Sequence, residues 1–547
     1  MSERAIEDWL ARVSERGYQT AFCHLLNAMG YTVVHSTTHG AAEEGKDVIA
    51  LDCKGQPVAF QLKRGPISLS GWRKIKSEIE ELVEQPINPA YVRSRQWHQS
   101  ILVTTGSVHE EASRRISGLN KKWERSCRPL QTWKGTELLA AFLKHTGRFL
   151  PVPIDDFHRL LGFMIADGHG LLDKAEFDRL LRSILPIDGS SVPRSKAAIA
   201  QAIPAAVVIV EYALVGFDRA DNHFARIEAY TMLLCYILAA AEQHDLSERL
   251  WRSTCSILED AVDRYAEFLA DEAINLGTFG QGNPFTEPIV APYRAALVAG
   301  ALASHGLWCR LGGKSRWFDK KAADVKATIE RLIQKSRIPS EAIIPAIFLT
   351  SQHLWHSGNI ASSDGLFRRL LAESILRKQG NLPVRPLWGP YLQLEEALLR
   401  DLGQAVDSHD RETWEYHTHT AWPLILIAAR RLWRQDLEQV WHSITSLHFI
   451  EVIPDRSWEL MLWRVTKGTW AQRMVPQPAK WSELRAEANC AHRLPKWFAG
   501  VRHWLPYYLL VYPHRFTPGL VLGLDDALCG SQEVAPGQCK GGSHADT

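Results

Sequence analysis

The sequence predicts an α/β domain, a mixed central sheet flanked by helices, over residues 1–150, then a large all-α region over 151–529 and a disordered tail over 530–547. Three observations carry this. In the first stretch, helical apolar spacing alternates with short β-branched runs. At Pro151-Val152-Pro153 the composition changes. Beyond it, to about residue 500, apolar residues recur at helical spacing with few strand-like runs.

The elements follow in order. Ala5 to Val13 and Tyr18 to Met29 have helical spacing, and Gly30 stands where a helix C-terminus places it. Tyr31 to Val34, Val48 to Leu51 and Val58 to Leu62 are strand-like; Lys54-Gly55 between the last two predicts a hairpin turn. Trp72 to Val83 reads as a helix, Ile101 to Thr105 as a strand, His109 to Leu119 as a helix and Leu130 to Trp133 as a short strand. Thr136 to Leu143 is the last helix of the domain, with Thr136 as its N-cap. In the second region Glu176 to Ile184, Glu248 to Leu269, Ala322 to Ile333, Ser363 to Leu376 and Trp422 to Trp433 read as helices. They are repeat-like, as in stacked helix pairs, but have no fixed period. The tryptophans here read as packing residues. Tyr507 to Tyr512 and Leu520 to Leu524 fit short strands or a final helix, and the small, polar run from Gly530 to Thr547 fits the tail.

The chain has 547 residues, room for about two to four domains. An apolar share of 46% and a charged share of 23% are those of a globular protein with a full core. The net charge of +2 says nothing by itself of a nucleic-acid partner; only its distribution can. Nine cysteines without a CxxC pair argue against zinc or thioredoxin-like sites and predict reduced thiols in a cytoplasmic protein. Met1 to Leu10 is charged and amphipathic, unlike a signal peptide. Ala205 to Phe217 and Ala229 to Ala241 are each about 13 residues, short of the about 20 of a membrane span. Glu211 interrupts the first and Glu242 ends the second, so both predict buried helices; a membrane-associated effector rests on these stretches alone.

The chemistry concentrates in the hairpin. Strand side chains alternate faces, so Gln61 and Lys63 share one face. With the turn centred on Gly55, Asp47 stands opposite Lys63, and the three cluster at one end of the sheet. Phosphodiester hydrolysis uses a divalent cation to polarise phosphate and activate water. Magnesium takes oxygen ligands and keeps several waters, so one or two carboxylates suffice. Asp47 is the strong candidate ligand, the Gln61 amide oxygen a neutral one, and Lys63 a cation for the charge that develops on the phosphorane.

Gly45-Lys46-Asp47 followed by Gln61-Leu62-Lys63 is similar to the GxD…QxK signature of Mrr-type restriction endonucleases in the PD-(D/E)xK nuclease superfamily. Tyr18 to Tyr31 resembles that family's first core helix, which ends in Gly-Tyr. Ile101 to Gly106 resembles a later strand ending in Thr-Thr-Gly. The resemblance covers roughly residues 15–145. It implies a restriction-endonuclease-like fold and a Mg²⁺- or Mn²⁺-dependent endodeoxyribonuclease acting in restriction or defence against foreign DNA. Asp47 and Gln61 would hold the metal, Lys63 would assist, and a homo-oligomer or a defence-system partner protein is the expected company. RNA carries the same bond and stays open as substrate. The family often has a glutamate on the first helix, and Gln19 stands here instead. Glu15, one turn earlier on the same face, can complete the shell, with Glu43 and Glu44 as further candidates. Without them Asp47 is the only carboxylate, and the alternative is an inactive nucleic-acid-binding module on a helical scaffold or sensor.

Basic residues supply a candidate DNA surface. Arg64, Arg73, Lys74 and Lys76 stand beside the Lys63 strand; Glu78, Glu80 and Glu81 make a merely solvated face an equal reading for the last two. Arg114, Arg115, Lys121, Lys122, Arg125, Arg128 and Lys134 face one acid, Glu124, and predict phosphate contact. Other motifs fail. Gly312-Gly313-Lys314-Ser315 has Trp308 where a P-loop needs glycine. Asp167 to Asp178 lacks the alternating acids of a calcium loop. The pairs His353/His356 and His417/His419 have no third ligand nearby in sequence.

Overall fold

A computed structural model of the chain describes residues 10–11, 13, 15–36, 45–88, 91–92, 97–126, 129–146, 154–185, 187, 196–275, 287–336, 341–375, 417–465, 468–475, 480–490, 494–498 and 500–530. Contacts divide the chain into two units, Met1–Leu172 with Glu176–Arg264, and Asp173–Ala175 with Tyr265–Thr547.

The first unit opens with α1 (Glu15–Ala28), β1 (Thr32–Ser36), β2 (Val48–Leu51), β3 (Pro57–Lys63), α2 (Leu69–Glu84), β4 (Gln99–Thr104), α3 (Glu110–Trp123), β5 (Gln131–Trp133) and α4 (Gly135–Thr146). The five strands form one mixed sheet in the order β1-β2-β3-β4-β5. The first three run antiparallel, and β4 and β5 continue parallel to β3. Strand β3 is paired on both edges and covered on both faces, so its near-continuous apolar sequence is buried from Pro57 to Leu62. One face packs Ile49, Ala59 and Leu102 against Trp72, Ile79 and Leu82 of α2 and Ala112 and Ile116 of α3. On the other, Phe60 meets Phe22 of α1 and Trp133 edge-on. Helix α2 starts where Ser68 Oγ accepts the Gly71 N–H at 3.2 Å, an ordinary N-cap.

Two local expectations change. The hairpin loop is centred on Lys54, not Gly55: Asp52 N–H donates to the Gln56 carbonyl, and Asp52 Oδ1 accepts N–H groups of Lys54 and Gln56 at 2.8 and 2.7 Å. This aspartate-stapled loop fixes the register Val48↔Phe60. Thr136 is not the N-cap of α4; the helix already includes Gly135, and the Lys134 N–H donates to the Glu137 carboxylate.

The helices as far as Arg264 group with the sheet, so the unit that holds it is longer than the 1–150 segment read from composition. Helix α1 packs against Lys196–Ala213. The first apolar stretch is split between Lys196–Ala213, of 18 residues, and the short helix Val215–Arg219, and the second lies within His223–Gln243, of 21; the two long helices are long and apolar enough to cross a membrane by length and composition. The second is 94% buried within the protein, as core helices are. Glu211, which interrupts the first stretch, is held by Arg226 at 2.8 Å and by the Tyr230 hydroxyl, a buried polar network inside an apolar layer.

The second unit is mainly helical, with Glu287–Arg310, Ile344–His356 and Ile360–Ile375 among its packed helices. It is not all-α. His417–Thr418, His448–Pro454 and Gly468–Met474 make a three-stranded sheet. The outer strand Gly468–Met474 reads GTWAQRM, whose mixed polarity hides the alternation that marks a strand. Tyr507 to Tyr512 and Leu520 to Leu524 belong to helices, Leu505–Val511 and Pro518–Gly530. Trp308, Trp463 and Trp504 are fully buried, as packing residues should be. The tail beyond Gly530 lies outside the described residues.

Candidate active site

The site lies where the C-terminal end of β3 meets the start of α1 and the middle of α2. Asp47, just before β2, donates its N–H to the Phe60 carbonyl at 2.9 Å, and its Oδ2 accepts the Leu62 N–H at 2.6 Å. The carboxylate is therefore locked onto the backbone of the lysine strand. Continuing the register puts Asp47 opposite Gln61 rather than Lys63. The two-residue difference preserves the face, because side chains alternate with period two. Asp47 and Gln61 are 3% and 4% exposed. Gln61 Oε1 is buried and, among the described residues, has no hydrogen-bond partner.

Lys63 reaches out from beneath. Its Nζ lies 2.9 Å from Glu78 Oε2 on α2 and 3.4 Å from Glu15 Oε1 on α1. Burial opposes its charge, but Glu15, Glu78 and Asp47 outweigh that and hold its pKa above the ordinary lysine value. Burial raises the Glu15 carboxyl above its usual range, against the pull of Lys63. Tyr18 donates its hydroxyl to the Lys63 carbonyl at 3.3 Å. Burial, with Glu15 and Asp47 adding to it, pushes its pKa well up, so it stays a donor.

Of the first-helix candidates, Glu15 reaches the site, and its carboxylate also accepts the Arg64 N–H. Gln19 does not act as a ligand through its nitrogen. Its Nε2 donates to the Asp47 carbonyl at 3.2 Å and to Ser36 Oγ at 3.3 Å. Ser36 Oγ in turn accepts from Arg264 Nη2 at 3.3 Å, so Gln19 links the Asp47 backbone to a buried guanidinium. Glu43 and Glu44 lie outside the described residues. In the sequence Glu78 stands out only as an acid near Lys74 and Lys76. Its signal was its place on α2 facing the QxK strand, which needs the packing of α2 to be known.

The flanking motifs are pins. Gly45 has φ +71°, and a Cβ there would stand 2.2 Å from the Glu78 carbonyl oxygen; only glycine lets the Asp47 loop close on α2. Thr104 Oγ1 donates to the Gly65 carbonyl at 2.6 Å, Thr105 Oγ1 accepts the Gly65 N–H at 2.9 Å, and a Cβ on Gly106 would be 2.4 Å from Gly65 C. Thr-Thr-Gly thus clamps the turn that follows Lys63.

The basic residues are spread over this unit. Arg64, Arg73, Lys74, Arg115, Lys121 and Arg125 are exposed. Arg114 pairs with Glu110, and Lys122 with Glu84 at 3.5 Å, so these two are partly compensated. Lys76 pairs with Glu80 at 3.5 Å. Arg128 lies outside the described residues. Among the described residues no three His, Cys, Asp or Glu side chains gather as a metal site. A donor set built on Asp47 and the amide oxygen of Gln61 is of another kind. Its fit to a hard cation rests on a backbone-fixed carboxylate beside an unpartnered buried carbonyl oxygen, ligands of the sort magnesium accepts. Compared with family models, curated proteins and solved structures, the chain matches none.

Proposed function

We propose that the chain is a divalent-metal-dependent endonuclease of the PD-(D/E)xK kind, hydrolysing phosphodiester bonds of DNA, with Asp47 and Gln61 holding Mg²⁺ or Mn²⁺. The observation that supports this most is the unpartnered Gln61 Oε1 on the same strand end as Asp47 and a lysine kept charged by carboxylates. The bound cation would supply phosphate polarisation and an acidified water. The chain's own part is electrostatic and positional. Lys63 Nζ presents a full positive charge to the phosphate oxygens as they gain charge. Glu15, whose carboxyl burial holds above its usual pKa, is placed at Nζ to accept a proton. The exposed Arg64, Arg73 and Lys74 give backbone phosphates a landing surface. Restriction or defence against foreign DNA is the biological setting the reading carries.

Plasmid cleavage in Mg²⁺ tests it: Asp47→Ala and Lys63→Ala should each lose about 10²-fold or more. Equal cutting by all three proteins sinks the proposal. A second reading, a non-cutting nucleic-acid-binding module, draws on Glu15 and Glu78 both being tied to Lys63, which leaves Asp47 as the carboxylate beside Gln61. Calorimetry with Mn²⁺ separates the two, since absence of binding at millimolar metal favours the module.

A further inference from the structure

The second unit contains a cavity of about 270 Å³, bordered by Glu287–Arg310, Phe318–Lys335 and Ile344–His356 and lined by Arg310, Phe318, Asp319, His353 and His356 among others. Its volume lies just under the about 300–1,000 Å³ of drug-sized ligand pockets, which suits a compact guest.

The polar groups that line it are short of partners. Among the described residues Arg310 makes no ion pair. Its Nη1 donates to the His356 carbonyl at a long 3.5 Å, and its Nε is buried without a partner. Both ring nitrogens of His356 are buried and unpartnered as well. His353 is 7% exposed, with its ring edge-on to Phe318. A buried polar atom left unsatisfied is costly, so three such atoms on two neighbouring side chains mark a place made for something polar.

The sign of the field says what. Burial first, and then His356, Lys326, Arg310 and His305, hold His353 down to about 4. Burial, Arg310 and Arg431 do the same to His356, also to about 4. Both imidazoles are neutral at neutral pH, each keeping one N–H to donate. The charge among the more buried lining groups is the Arg310 guanidinium, and the acid among the lining residues, Asp319, is exposed. We propose that this cavity binds a compact oxyanion, the phosphate or carboxylate group of a small metabolite, on Arg310 with His353 and His356 as neutral donors. A guanidinium presents its N–H groups as a fork that matches either oxyanion. A cation is the wrong guest, because Arg310 repels it, and among the described residues the lining Cys309, Asp319, His353 and His356 form no group that could hold a metal ion. The proposal is independent of the nuclease reading.

The test is calorimetry on the full chain, in EDTA so that no metal at Asp47 takes part, with inorganic phosphate, pyrophosphate and citrate as probes. At least one should bind saturably. Tighter phosphates mark a phosphorylated ligand and tighter citrate a carboxylate. Arg310→Gln should weaken that probe about tenfold or more. Asp319→Asn, at an exposed position that leaves the core alone, should tighten it about threefold, because it removes a like charge. This second variant decides the matter even if Arg310→Gln fails to fold. No saturable binding of any probe up to about 10 mM, or weaker binding by Asp319→Asn, overturns the proposal.

Discussion

Replacing Gln19 by Glu asks whether position 19 is a metal position or a strut. The family-like expectation is that a glutamate there adds a carboxylate to the metal shell. The hydrogen bonds say otherwise. Gln19 is 2% exposed, and its Nε2 donates to the Asp47 carbonyl at 3.2 Å and to Ser36 Oγ at 3.3 Å. An ionised carboxylate has no donor, so both bonds go, and the Asp47 carbonyl faces a negative oxygen. Two rather long bonds account for about 1–2 kcal/mol, and the buried charge adds more. The charge term has a ceiling. The carboxyl can take a proton and donate to the Asp47 carbonyl. At pH 7 that costs about 3.7 kcal/mol, from about 1.36 kcal/mol per unit over the interval from an ordinary 4.3. The raised folded pKa fixes the sign. The destabilisation should be small below about pH 4 and should grow as pH rises above it.

Thermal unfolding of Gln19→Glu against wild type at pH 4.5 and 7.5 reads this directly. A loss of about 3 kcal/mol corresponds to about 6–12 °C for a unit of this size. The gap between the two proteins should be wider at the higher pH. A variant as stable as wild type at pH 7.5, and binding Mn²⁺ more tightly, would refute the strut and return position 19 to the metal shell.

Three further outcomes follow from the same geometry. Gly45→Ala meets both a left-handed backbone and a 2.2 Å approach to the Glu78 carbonyl oxygen; it should lower stability by about 2–4 kcal/mol and abolish cleavage, and an unchanged denaturation midpoint would show the loop free to move. Ser36→Ala removes the acceptor shared by Gln19 and Arg264; Mn²⁺ titration followed by electron paramagnetic resonance should show about tenfold weaker binding, and unchanged affinity would cut Arg264 off from the site. The raised Lys63 pKa gives a stabilising contribution that is full below about pH 10.4 and fades as pH climbs through the higher folded value. The urea midpoints of wild type and Lys63→Met should therefore differ steadily from pH 7 to about 10 and converge above, and convergence already at pH 8 contradicts the clamp.

Much of the first unit was readable because its signals are local. Helix α2 announces itself through Trp72, Ile79, Leu82 and Val83 at helical spacing, all of them buried. The hairpin is marked by a turn between two apolar runs, and period-two alternation put Asp47, Gln61 and Lys63 on one face even with the register off by two. What could not be read is whatever depends on non-local partners. Glu78 is an ordinary solvent-facing acid of α2 until packing aims it at Lys63. Gln19 has the helix position of a ligand, but its role is set by Ser36 and Arg264, which are 17 and 245 residues away. The strand Gly468–Met474 shows the same limit, since its pairing with His448–Pro454, more than its own pattern, makes it a strand.

The site's two halves are built to opposite rules. The contacts around Lys63 are pairings: two acids share its Nζ, a tyrosine holds its carbonyl, and the Thr-Thr-Gly turn grips the backbone that follows. The contact around Gln61 Oε1 is a missing one. In a buried sheet a lone carbonyl oxygen is destabilising, whereas an apolar side chain at position 61 would extend the Ala59 core without penalty. On the proposed reading that oxygen binds a divalent cation together with the backbone-locked carboxylate of Asp47 across the ladder. Lys63, paired with Glu15 and Glu78, keeps its charge for the phosphate in that reading, and the cation comes from solution.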